Sequence, residues 1–164
     1  MRCWIFLLVF VSACRPGFNS MKLTLAPLTP TFKGTFVNRP SQSLEEFDQT
    51  TLAATLLVEA EVGDTIDIYF VDRDSLVMKG VKDGKPHEWR YRGDFTPDGY
   101  YRITFRNNVE KGLINASRDE KRVYFQLTDQ GSLMVEDYIR NERRFLLWGV
   151  GGTIHLQRVY PLLR

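Results

Sequence analysis

Histidine, the side chain that most readily moves protons near neutral pH, occurs only at His87 and His155, far apart and without metal-ligand spacing. His87 precedes Glu88, yet neighbours on a strand point to opposite faces, so that pair cannot share acid–base work. Asp64, Asp67, Asp72 and Asp74 crowd one stretch but lack the loop spacing and closing glutamate of a calcium site. They read as turn punctuation and a solvated strand face. No Gly-x-Ser-x-Gly elbow occurs, and Gly149-Val150-Gly151-Gly152 lacks the strand-to-helix setting that cradles phosphate, so it reads as a turn. Asn115-Ala116-Ser117 matches a glycosylation sequon by coincidence. Without a convergent nucleophile, base or metal set, the sequence predicts no enzyme, no cofactor and no metal.

The cysteines carry more information. Met1 and Arg2 precede the apolar run Trp4-Ile5-Phe6-Leu7-Leu8-Val9-Phe10-Val11, followed by Ser12-Ala13-Cys14. A positive start, a short apolar core and small residues before a cut are what a secretory signal requires. The run is about half the roughly 20 residues of a membrane-spanning helix. Val11-Ser12-Ala13-Cys14 resembles the lipobox of bacterial lipoproteins. That resemblance implies cleavage of residues 1–13 and lipidation of Cys14, hence a membrane partner and a place in the cell envelope. Arg15 stands where an aspartate is linked in some bacteria with inner-membrane retention, which favours the outer membrane. The competing readings are an ordinary cleaved signal or a start at Met21.

With Cys3 lost and Cys14 consumed, the remaining chain has no disulfide, thiol nucleophile or thiolate metal site. Its length fits one domain that must stand on packing alone. The net charge of +2 is too small to imply nucleic acid, and the charges are interspersed.

Residues 15–30 hold three prolines and no sustained period, so 14–30 reads as a lipidated tether, with Met21 to Ala26 an alternative edge strand. From Phe32 the dominant period is two. Ile66, Ile68 and Phe70 alternate with polar partners, and Asp72-Arg73-Asp74-Ser75 separates them from Leu76 and Met78. Asp83-Gly84 and Asp98-Gly99 mark tight turns. Tyr101, Ile103, Phe105 and Val123, Phe125, Leu127 give further strands. Asn107 to Glu120 reads as polar and turn-rich, and Gly151-Gly152 as the turn of a last hairpin. Ser43-Leu44-Glu45-Glu46 fits a capping box opening a helix over 43–57, whose second half is also β-branched enough for a strand.

About eight strands in meander order, one short N-terminal helix and no βα alternation predict an all-β, antiparallel sheet, and closure would remove its exposed edges. Thr31-Phe32-Lys33-Gly34-Thr35-Phe36 resembles the first-strand signature of the lipocalins, with Phe36 where that family has tryptophan. The resemblance covers residues 31–164. It implies a lipocalin-like β-barrel with a cavity, an apolar ligand, and Arg158 packed near Phe36 from the last strand; the family's frequent disulfide is absent.

Trp89, Tyr91, Tyr101, Phe105 and Phe125 fall on the inward face and would line such a ligand site. The plainer reading is that these rings fill a small barrel as core. Arg90, Arg92, Arg102 and Arg106 would form a basic stripe toward anionic lipid or an acidic partner, or simply keep the sheet soluble. Two functions follow: a lipid-anchored protein holding a small hydrophobic ligand, or a non-enzymatic envelope protein with a filled barrel that binds a protein partner.

Overall fold

The computed structural model describes residues 21–45, 48–58, 61–112, 115–145 and 148–163. The expected signal over 1–13 and the lipidation at Cys14 lie outside the described residues. Among the described residues, ten strands and one short helix follow in the order β1 (Leu25–Ala26), β2 (Lys33–Val37), β3 (Gln42–Ser43), α1 (Leu52–Thr55), β4 (Thr65–Phe70), β5 (Ser75–Lys82), β6 (Lys85–Phe95), β7 (Tyr101–Lys111), β8 (Asn115–Thr128), β9 (Leu133–Phe145) and β10 (Trp148–Tyr160).

The fold is all-β and antiparallel, with strand order β2-β4-β5-β6-β7-β8-β9-β10-β3 and β1 beside β8. Turn chemistry sets the register. Asp83 and Gly84 take φ of 51° and 72°, and Lys82 pairs directly with Lys85 around them, as a two-residue hairpin demands. Gly99 and Gly131, at φ of 82° and 81°, serve the turns before β7 and β9.

The ladder runs from β2 to β3 and is not a closed ring. One bridge, Phe36↔Leu162, joins β2 to the residues after β10. Val37 N donates to Pro161 O at 2.9 Å and Leu163 N to Thr35 O at 2.8 Å on either side of it.

Within this sheet β6 and β7 meet only at Gly93↔Ile103, Asp94↔Arg102 and Phe95↔Tyr101. A Cβ on Gly93 would stand 2.3 Å from Arg102 O and 2.7 Å from the Tyr101 ring, so the seam requires glycine. Away from it the sheet divides into two leaves. One is β2-β4-β5-β6; the other is the long blade of β7, β8, β9 and β10.

The core lies between the inner faces, built from Phe36, Ile66, Ile68, Leu76, Met78, Tyr101, Val123, Phe125, Val135 and Tyr160, with Leu52 and Leu56 from the α1 segment. Thr51 caps α1, its side-chain oxygen accepting from Ala54 N at 3.2 Å. Buried Asn38 holds the segment down: Oδ1 accepts from Ala53 N, while Nδ2 donates to Val62 O and Gly63 O, each at 3.1 Å.

Several sequence expectations differ from the structure. The helix spans Leu52–Thr55, not 43–57, because Ser43 is drawn into β3 opposite Arg158 and Leu44 N donates to Gln157 O. Asn107 to Glu120 is mostly strand: β7 continues to Lys111 and β8 starts at Asn115, their polar side chains joined across the ladder by Arg106–Asp119 and Ser117–Glu110. Gly151-Gly152 lies inside β10, which pairs Trp148 with Phe145, so that hairpin closes nearer the chain's middle than expected. Residues 21–30, read as tether or, over Met21 to Ala26, as an edge strand, carry the short strand β1 at Leu25–Ala26, and Leu28 N donates to Gly99 O.

Candidate functional site

Five aromatic residues were expected to line a ligand site, and the sheet sorts them into two groups. Tyr101 and Phe125 are fully buried, with ring centroids 6.5 Å apart. Tyr101 also meets Phe70 edge-on at 4.8 Å and Phe95 at 5.0 Å, and its hydroxyl donates to Asp74 O at 2.9 Å. This half of the set fills interior volume.

Trp89, Tyr91 and Phe105 are only partly buried against the core. Tyr91 meets Phe105 edge-on at 6.1 Å, Trp89 stacks on His87 at 5.8 Å, and Lys121 Nζ lies 5.6 Å from the Phe105 ring centre. These residues belong to the stretches of β6 and β7 that have already left the seam. Burial pushes the Tyr91 hydroxyl up to about 12, and burial first, with the charges of Asp72, Asp74 and Asp94, does the same to Tyr101. Both phenols therefore stay neutral donors at physiological pH.

Three arginines of the expected stripe are paired with carboxylates, while Arg92 is exposed. Arg90 pairs with Glu88 at 2.8 Å, Arg102 with Asp94 at 2.7 Å and Arg106 with Asp119 at 3.6 Å. The β-bulge between Thr104 and Arg106 also breaks the face the four would have shared.

A charged cluster that sequence patterning misses sits at Arg158. This residue is 2% exposed. Its Nε donates to Asp48 Oδ2 at 2.6 Å and its Nη1 to Asp137 Oδ2 at 2.7 Å, with Thr55 Oγ1 at 3.5 Å from Nη1. Tyr160 completes the group by donating to Thr50 O at 2.9 Å. The resemblance placed a basic residue here beside an aromatic; its polar partners are two carboxylates and a threonine. Burial raises the Asp48 carboxyl, but the donors on Arg158 and Thr50 outweigh it and hold the group below its ordinary value. An alternation pattern cannot disclose this site, because Asp48 comes from an irregular segment.

On the outer face of the blade, Glu120 is 1% exposed between Arg118, at 2.7 Å, and Arg122 on the same strand. Across the ladder Arg118 opposes Glu142 and Glu120 opposes Arg140, and Arg140 bonds Glu142 at 2.8 Å. His155 Nδ1 lies 2.9 Å from Glu136 Oε1, and Gln157 donates to Glu136 Oε2 at 3.0 Å. These charged groups face one another in pairs along and across the strands. The arrangement cross-links strands and offers no nucleophile with a base beside it.

Among the described residues, no group of three or more His, Cys, Asp and Glu side chains is placed to hold a metal ion, and no helix is long and apolar enough to cross a membrane. Comparison with known proteins finds no matching family, no matching curated protein and no matching solved structure.

Proposed function

We propose that the chain is a lipid-anchored protein of a bacterial cell envelope, held by Cys14 in the outer membrane, whose lipocalin-like domain works by binding a protein partner rather than by catalysis. The observation that carries the binding role is the burial of Tyr101 and Phe125 against each other, with Phe70 and Phe95 packed on Tyr101, because these rings occupy interior volume a ligand would need. Bonds from residues 161–163 to β2 support a barrel reading, since they bring the first and last long strands together. The anchor rests on the order of charge, apolar run, small residues and cysteine at the start of the sequence.

A second reading has its own support. Trp89, Tyr91 and Phe105 remain partly buried where β6 and β7 part, and such rings suit one small apolar ligand at a mouth.

Two measurements test these readings. Labelling cells with a radioactive fatty acid is expected to mark the wild type and not Cys14→Ser; an unlabelled wild type overturns the anchor. Titrating the protein with a fluorescent fatty-acid probe is expected to show no saturable site. Saturable binding weakened by Phe105→Ser transfers the function to the ligand reading.

A further inference from the structure

We infer that the far end of the blade is a membrane-contact tip that takes the headgroup and upper acyl region of an anionic lipid bilayer. Both blade hairpins end at one level, since Phe145 pairs with Asn115 on one side and with Trp148 on the other. Apolar side chains there face water: Phe145 is 57% exposed and Val150 82%, while Val109, 50% exposed, stands farther back on the opposite face. Beside them Lys111, Arg143 and Arg144 line the same open groove of about 670 Å³ as Phe145 and Val150. Glu110, the acidic residue of that groove, accepts from Ser117 at 3.2 Å, and Arg144 stands 3.9 Å from Glu142.

Apolar prongs within a basic collar match the bilayer interface, where hydrocarbon begins just beneath anionic headgroups. A protein partner fits less well. A stable protein interface covers about 800 Å² on each side and is poor in lysine, and two apolar side chains do not make such a surface.

The path of the chain agrees. Met21 N donates to Gln157 Oε1 at 2.9 Å. Position 157 lies about 24 Å along β10 from Val150 at ordinary strand rise. A chain from position 14 to position 21 spans at most about 25 Å. An anchor on Cys14 and the tip therefore reach one bilayer together. The contact itself does not require the anchor, and the test is made without it.

The experiment uses the full chain carrying Cys3→Ser and Cys14→Ser, with a polarity-sensitive fluorophore on Val150→Cys. A second sample carries the dye on Val81→Cys, a residue 50% exposed at the β5–β6 hairpin. Vesicles of phosphatidylcholine with phosphatidylglycerol are expected to raise emission at 150 and leave 81 unchanged, and phosphatidylcholine alone is expected to do neither. Arg143→Glu with Arg144→Glu should weaken the response about tenfold or more, from the loss and reversal of two headgroup contacts. Equal response at 150 and 81, no preference for anionic vesicles, or no effect of charge reversal overturns the proposal. Emission at 150 that rises with protein concentration without lipid also overturns it, by assigning the tip to a second copy of the chain. Failure of fatty-acid labelling at Cys14 would leave these outcomes untouched.

Discussion

Arg158 donates to Asp137 across 2.7 Å where the two residues are 2% and 4% exposed, so the ion pair is almost wholly withdrawn from water. Removing charges from water costs several kcal/mol per ion, and the pair offsets this only while its bonds are complete. Asp48 supplies the second carboxylate from the segment before α1, which ties that segment to β9 and β10.

Arg158→Ala is accordingly expected to lower the unfolding free energy by about 3–5 kcal/mol, because buried Asp137 and half-buried Asp48 lose their partner. Arg158→Lys should fall between, since an ammonium keeps the charge but lacks the planar fork that serves two carboxylates at once. Urea denaturation of the three proteins at neutral pH measures this. Equal midpoints for wild type and Arg158→Ala would refute the structural role.

Acid should erode the same tie. The Asp48 carboxyl titrates below its ordinary value of 3.8, so its contribution is present above pH of about 4 and is lost as pH falls through the lower, folded value. Asp48→Asn removes this dependence. The urea midpoint of the wild type should exceed that of Asp48→Asn at pH 6, with the gap narrowing progressively below pH of about 4. A gap that stays constant down to pH 2 would contradict the assignment.

Two adjacent glycines in β10 should respond in opposite ways to one added methyl group. Gly151 has φ of 154°, and a Cβ there would lie 2.1 Å from Asn141 O; nothing lies within 4 Å of a Cβ on Gly152. Gly151→Ala is expected to cost about 1–3 kcal/mol through forced displacement of β9. Gly152→Ala should change stability by no more than about 0.5 kcal/mol. Thermal melts followed by circular dichroism compare them, and equal melting temperatures would disprove the close approach.

Those glycines also show where local signals fall short. Asp83-Gly84 and Asp98-Gly99 were legible as turns because their backbone demands are satisfied within a few residues. Gly151-Gly152 carries the same composition, yet it meets a demand made from the neighbouring strand, which no short window contains. Ser43 failed for a related reason. Its capping pattern is local, but the hydrogen bonds that β10 offers this segment outcompete it.

The candidate site was partly legible by the same standard. Alternation placed Tyr101, Phe125, Tyr91 and Phe105 on the inward side of their strands, and the rings do meet in pairs. It could not tell filled core from rim, because that distinction depends on where β6 and β7 separate. The Glu120 lattice was hidden too, since its opposing charges come from register across strands.

The narrow seam at Gly93, Asp94 and Phe95 gives the molecule a mechanical character of its own. Three residue pairs join the leaves here, and on the far side Phe36↔Leu162 with the backbone bonds of Pro161 and Leu163 to β2 joins them again. Shear or tension between the leaves is therefore shared by two narrow joins, as a load is by the two hinges of a door. The rings of Tyr91 and Phe105 sit just beyond the first of these joins, where the leaves part, so movement between the leaves would be felt at that ring pair.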